Sequence, residues 1–135
     1  EMGRRAHMYR KIGEEFIADD FAHEQSVVFE TGKGLVIFNS CSHGGIVNIV
    51  REVQMALGGQ KVYAVVGVFH MMKLSGMDTL AIPEEEVVET AQELKGLGVE
   101  EIYTGHCTGN IAFRILKKEL GEMVHALGTG ETVIF

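Results

Sequence analysis

Cysteine is scarce in this chain: Cys41 and Cys107 are the two present, and no CxxC pair occurs. Without a recognisable secretory leader, so few thiols exclude a disulfide-stapled extracellular scaffold and point to a reducing, cytoplasmic setting. Positive charge is also short. Twelve Lys and Arg against nineteen Asp and Glu leave a net charge of −7, so no phosphate-neutralising excess is available for duplex nucleic acid. Arg4, Arg5, Arg10 and Lys11 form a local patch, read as a solvated terminal segment. No apolar run approaches the ~20 residues that span a membrane, so no membrane partner is expected. Linkers, low-complexity tracts and true repeats are missing too, and 135 residues fit one domain. Residues 1–25 read as an irregular arm or loop with room for a short strand, and 26–135 as sheet and helices. The first residue is Glu rather than Met, so completeness of the chain is not assumed.

Glycine is abundant instead. Seventeen residues are nearly twice the usual share of about 7%, and many flank apolar runs, as tight strand–helix turns require. Ser26 to Glu30 is rich in β-formers, and Thr31 to Gly34 supplies a turn into a second strand, Leu35 to Phe38. Apolar residues at 46, 49, 50, 53 and 57 mark one helical face, stopped by Gly58-Gly59. Val62 to Val68 is nearly all apolar, as a strand buried on both faces should be. Pro83 stands before Glu84-Glu85-Glu86, a helix start with acids at the positive dipole end. That helix runs to about Leu97. A strand, Glu100 to Tyr103, a third helix, Ile111 to Leu120, and a final pair of strands, Met123 to Leu127 and Glu131 to Phe135, complete the reading. The class is α/β, with a mixed sheet and about three helices.

Three of the strands end in the same way. Leu35–Phe38 leads to His43, Val62–Val68 to His70, and Ile102–Tyr103 to His106. In open α/β sheets ligands bind outside the carboxyl ends of the strands. If these ends share an edge, three imidazoles converge into a site for zinc, iron or another first-row metal. A lone histidine at a strand end is ordinarily structural; the repetition carries the reading. His7 and His125 lack that context and read as surface or structural residues, and His23 is left open.

Other groups near these junctions have competing readings. Cys41 and Cys107 flank candidate ligands and could ligate zinc, form a redox pair, or be small buried thiols. Ser42 beside His43 could suggest a nucleophile and base, although adjacent residues rarely point at each other. Gly44, Gly45 and Gly109, with Ser42 and Thr108, stand at two helix starts. Backbone N–H groups there suit a phosphate or carboxylate, or the glycines serve turn geometry alone.

The order of motifs adds a resemblance. Thr31-x-Lys33-Gly34-Leu35-Val36, followed by Ser40-Cys41-Ser42-His43-x-Gly45-Ile46-Val47-Asn48-Ile49, resembles the metallo-β-lactamase superfamily. The similar branch is that of metal-dependent hydrolases related to the archaeal dihydropterin ribofuranosyl-aminobenzene phosphate synthase. Val66-Gly67-Val68-Phe69-His70 looks like the branch's GGFHL segment, with Val68 in place of its second glycine. Thr104 to Gly109 is similar to its TGHCTG segment, and Asp20-Phe21 to Gln25 looks like its approach to the first strand.

The resemblance covers nearly the whole chain and implies the C-terminal half of an αββα sandwich built around a dinuclear metal site. It assigns His43 to the third metal motif and His106 to the last, and puts His70 where many members carry a bridging aspartate. It implies a divalent metal, zinc first, with manganese or iron as alternatives, and a small-molecule substrate. The HxHxDH motif of the other half is absent; no HxH occurs in these residues. The expectation is therefore a metal-dependent hydrolase or pterin-type synthase that is incomplete, as a fragment, a split gene product, or a half completed by another chain. The alternatives are a non-catalytic metal- or anion-binding or oligomerisation module derived from that fold, and a cysteine redox protein. A half-sandwich exposes an apolar sheet face, so a homo-oligomer or a partner supplying the missing half is expected.

Overall fold

The computed structural model describes residues 8–135; the basic patch at Arg4 and Arg5 and the reading of His7 lie outside the described residues. β1 (Tyr9–Ile12) and β2 (Glu15–Ala18) form a separate antiparallel hairpin. The arm read as irregular thus contains regular pairing. Almost every residue of the hairpin is exposed, so no alternation of apolar and polar positions marks it in the sequence.

The main sheet begins with β3 (Ser26–Thr31) and β4 (Gly34–Cys41), antiparallel across a two-residue turn. Thr31 Oγ1 donates to Gly34 O at 2.7 Å and accepts from Lys33 N at 3.2 Å, which fixes that turn. Then follow α1 (Ile46–Ala56), β5 (Val62–Val68), α2 (Glu84–Gly96), β6 (Glu101–Thr104), a 3-10 turn (His106–Thr108), α3 (Asn110–Leu120) and β7 (Val124–Ala126). The sheet order is β3-β4-β5-β6-β7, with β4 to β7 mutually parallel.

Parallel strands added in sequence order by right-handed crossovers place every connecting helix on one face of the sheet. The core agrees. Ile37, Val65, Ile102 and Val124 from the strands form one buried cluster with Ile46 and Val50 of α1, Val87, Ala91 and Leu94 of α2, and Ala112 and Leu116 of α3. Each Ile, Val or Leu among them, fully withdrawn from water, contributes about 1.5–3 kcal/mol relative to exposure. The dipole of α2 is matched at both ends, by Glu84, Glu85 and Glu86 in its first turn and Lys95 in its last.

The other face of the sheet is open. In register, Val27 faces Phe38, Phe29 faces Val36, and Val66 lies between Phe38 and Tyr103 on that side. Val27 and Phe29 are each 56% exposed. Phe135 packs edge-on against Phe38 and Tyr103 there, at 6.0 and 5.6 Å between ring centres. This corrects the expectation that Val62–Val68 is buried on both faces: Tyr63, Val66 and Val68 are only half-buried.

A second correction concerns the last pair of strands. Val124–Ala126 is a strand, but residues 131–135 are not. Glu131 folds back locally, its carboxylate accepting from Gly128 N at 2.7 Å. Among the described residues no helix is long and apolar enough to cross a membrane.

Candidate metal centre

Because β4, β5 and β6 are parallel, their carboxyl ends share one edge, and the three expected junctions meet there. The rings of His43 and His70 lie 4.4 Å apart between centres. Cys41 Sγ is 3.2 Å from His70 Nδ1 and 3.0 Å from Cys107 Sγ. Ligand atoms of Cys41, His43 and His70 all fall within 4.8 Å of one another. His106 lies on the wall of the same open pocket, of about 700 Å³, with Cys107, Val66, Val68 and Phe38. It stands outside the three-donor group, with its side chain exposed. The structure thus brings His43 and His70 together with a sulfur, and His106 to the rim.

The junctions are tied together by backbone. Ser42 N donates to Val68 O at 2.9 Å, joining the β4 end to β5, and Met71 N and Met72 N donate to Cys107 O at 3.0 and 3.2 Å. Asn39 Nδ2 donates to Ser42 Oγ at 2.5 Å, and Ser42 Oγ donates to Val68 O at 3.0 Å. Asn39 can lie there only because position 67 has no side chain; a Cβ on Gly67 would collide with it.

Backbone strain is concentrated at the same place. Among the described residues, the non-glycine positions with positive φ are Phe21 (55°), His70 (49°) and His106 (45°). Such conformations cost of order 1–3 kcal/mol each and persist where surrounding contacts over-determine them. At His70 the contacts are evident: Phe69 and Met71 on either side are fully buried, and Phe69 N donates to Thr108 Oγ1 at 2.9 Å.

Glu24, absent from the sequence-based expectations, holds His43. Its Oε1 accepts from both His43 Nδ1 and His43 N at 2.7 Å, and its Oε2 accepts from Gly44 N at 2.9 Å. With Nδ1–H committed to the carboxylate, Nε2 of His43 is the lone-pair nitrogen, as a metal ligand requires. Phe21 stacks on the other side of the imidazole, 5.1 Å away and 17° from parallel. Glu24 lies in the Asp20–Gln25 segment that carries the resemblance, but local pattern does not link it to His43, nineteen residues later across a turn and a hairpin.

The expected anion donors are engaged internally. Gly44 N is held by Glu24, Gly45 N donates to Ser42 O at 3.1 Å, and Gly109 N to His106 O at 3.0 Å. Ser42 and Thr108 are fully buried, and Thr108 Oγ1 pairs with Thr104 Oγ1 at 2.6 Å. A Cβ at Gly109, whose φ is 81°, would come 2.8 Å from Met72 Cβ, so this glycine serves close packing. Ser42, sealed from solvent, is not placed as a nucleophile. His125 is structural, bonded to Glu101 Oε2 at 2.5 Å and stacked on Tyr103; His23 is exposed and sits 3.7 Å from Asp19.

The two thiols titrate as a pair. The hydrogen bond from Cys41 pulls Cys107 well below the ordinary thiol range, helped by His106 and His70 and opposed by burial. Cys41 is pushed up by that same bond, by burial and by the neighbouring Glu24 carboxylate. An edge with two imidazoles, two sulfurs and a carboxylate-oriented tautomer fits a divalent first-row metal.

No protein-family model matches the chain. Over 128 residues it is 35% identical to the 7,8-dihydropterin-6-methyl-4-(β-D-ribofuranosyl)-aminobenzene-5'-phosphate synthase of Methanocaldococcus jannaschii, which takes in 95% of this chain and 41% of the synthase. It also superposes on the crystal structure of a metal-dependent hydrolase of the β-lactamase superfamily. The TM-score is 0.82 at 29% identity, covering 94% of this chain and 46% of that one. The chain spans less than half the length of either protein.

Proposed function

Because the chain belongs to the metallo-β-lactamase superfamily, in the branch of the dihydropterin synthase it matches, we propose that it is one half of a metal-dependent hydrolase or synthase centre. The observation that carries this reading is the convergence of Cys41, His43 and His70 within 4.8 Å at the open sheet edge. A divalent ion held there, zinc first, supplies Lewis acidity toward a carbonyl or phosphoryl oxygen.

This chain's own contribution is to position donors. Glu24 sets the tautomer and angle of His43, the buried pair Phe69 and Met71 clamps His70, and His106 faces the pocket from the rim, where it adds a further donor when the site is complete. The absence of any HxH in these residues means the remaining ligands come from outside them. A small phosphorylated or ester substrate suits a pocket whose lower wall, Phe38, Val66 and Val68, is apolar and whose upper edge carries the donors.

Metal analysis of the purified chain tests the reading. After loading with zinc and removal of excess, about one ion per chain is expected, falling severalfold in His43→Ala and His70→Ala. Protein that takes up no zinc, manganese or iron, or whose uptake ignores both substitutions, would sink it.

A second reading is favoured by one observation, the uncovered apolar face. Val27 and Phe29 at 56% exposure, beside Phe38 and Val66, form a surface of the kind that monomers rarely leave bare. The proposed cover is the second sheet of the sandwich, and in its absence a second copy of this chain. Light scattering on the isolated chain at micromolar concentration is expected to report a dimer or larger species, and the double variant Phe29→Glu/Phe38→Glu a monomer. A monomeric parent chain would remove this association from consideration.

A further inference from the structure

The metal-centre reading leaves one nucleophilic group without a task. Cys41 belongs to the three-donor group with His43 and His70, and Cys107 does not. Yet Cys107 Sγ lies 3.0 Å from Cys41 Sγ, and both are free thiols. We infer that Cys41 and Cys107 are a site of reversible oxidation, closing to an intrachain disulfide that withdraws Cys41 from the donor group. The disulfide stands independently of the metal-centre reading; its effect on a metal rests on that reading and deepens it.

The contact between the sulfurs is held by backbone on both sides. Ser42 N, next to Cys41, donates to Val68 O at 2.9 Å, and Met71 N and Met72 N donate to Cys107 O at 3.0 and 3.2 Å. Both cysteines are thus fastened to the carboxyl end of β5 and the loop that follows it. A disulfide places its sulfurs about 2.05 Å apart, so the pair has to close by about 1 Å, within reach of side-chain rotation. Both thiols line the open pocket of about 700 Å³. Cys41 is half-buried and Cys107 buried, so the pair is open to a small reagent from the pocket side. An accessible thiol with a second thiol poised beside it is the arrangement of a redox-responsive cysteine.

The oxidant is a low-molecular-weight disulfide of the glutathione class. The thiolate of one cysteine attacks a sulfur of that disulfide, whose S–S bond breaks and releases one small thiolate. The other cysteine, as thiolate, attacks the protein-bound sulfur of the mixed disulfide and expels the second. The two protons given up by the cysteines leave on the two small thiols, and the two electrons have reduced the small disulfide. A thiolate is the form of cysteine that ligates a metal, and a disulfide sulfur is not one. The oxidised chain therefore offers two imidazoles where the reduced chain offers two imidazoles and a sulfur. An ion already bound to Cys41 in turn keeps that sulfur from attack.

The test equilibrates the full, metal-free chain with graded ratios of oxidised to reduced glutathione, alkylates the remaining thiols and reads the intact mass. The expected result is one transition from two alkylated thiols to none, with the loss of two hydrogens and a Cys41–Cys107 cross-linked peptide after digestion. In urea, where the fold no longer holds the sulfurs together, the oxidised glutathione needed should rise at least about tenfold. Thiols that stay free in excess oxidised glutathione, glutathione adducts on both cysteines, or a transition unmoved by urea would each overturn the disulfide. Zinc binding to the reduced and oxidised chains is then compared. The oxidised chain should bind severalfold more weakly and recover on reduction, and zinc added beforehand should slow the oxidation. Equal zinc affinity in the two forms would overturn the withdrawal of Cys41 while leaving the metal-centre reading in place. No zinc bound by the reduced chain would overturn that withdrawal together with the metal-centre reading. The parent chain decides each point, so no variant has to fold.

Discussion

Glu24→Ala is expected to weaken divalent-metal binding by about ten- to a hundredfold, the range found when a carboxylate behind a ligating histidine is removed. The effect has two parts. Loss of the carboxylate frees the His43 ring to rotate and to populate the tautomer whose Nε2 carries the proton, so the competent fraction falls. It also leaves Gly44 N, now bonded at 2.9 Å, without its acceptor at the approach to α1, while His43 N keeps its second acceptor, Cys41 O at 3.0 Å. Glu24→Gln separates the parts. Its amide oxygen can still accept from Nδ1–H, so ring orientation is largely kept, while the charge that raises imidazole basicity is lost. Zinc affinity measured by competition with a chromophoric chelator should rank the parent chain first, Gln second and Ala last. Equal affinity in all three would show that Glu24 merely shapes the loop.

The reason Glu24 escaped the sequence reading also explains what that reading could reach. His43, His70 and His106 were recognisable because each follows an apolar run that must be a strand, and parallel strands put like ends at one edge. That argument uses only local pattern and topology. It does not extend to which side chains touch. Cys41 and Cys107 are sixty-six residues apart, and their contact depends on how β4 and β6 are staggered on either side of β5, including the register shift between Phe38 and Cys41. No spacing rule carries that information. Gly44, Gly45 and Gly109, which in sequence suit either anion binding or turn geometry, have their N–H groups engaged within the chain for a related reason. A helix start advertises free N–H groups in sequence, but here a distant carboxylate and two tight turns occupy them. The open face was foreseen only through the resemblance, since Val62–Val68 by itself reads as buried on both sides.

The hairpin of residues 9–18 and the non-strand at 131–135 mark the opposite limits. In the first, backbone pairing forms without burying a face, so hydropathy is silent. In the second, the β-formers Thr132 to Phe135 resemble a strand, but the segment is left without ladder pairing beyond β7 and instead sends Phe135 across the apolar face. The second case shows long-range packing overriding a local signal; the first shows local pairing that leaves no signal in hydropathy.

The largest stability effect is expected at Phe69. This ring is fully buried, it lies in the loop between β5 and the strained His70, and its truncation to alanine should cost about 3–5 kcal/mol. Part of that is ordinary cavity formation under the sheet edge. The remainder is specific to the site: His70 at φ 49° is held there because Phe69 and Met71 anchor the chain on both sides, and releasing one anchor lets residue 70 relax toward a common conformation. The Nδ1 atom then leaves Cys41. Urea unfolding with and without zinc distinguishes the two contributions. A ligand at a hundred times its dissociation constant stabilises the folded state by about 2.7 kcal/mol, so the parent chain should gain that much at saturating zinc. Phe69→Ala should gain little, because the metal now has to rebuild the strained loop before it binds. Phe69→Leu, which keeps most of the apolar anchor, should lose less stability and regain most of the zinc response. If the alanine variant is destabilised yet stabilised by zinc as strongly as the parent, Phe69 is a packing residue alone, and the conformation of His70 is maintained by Met71 and the Cys107 carbonyl without it.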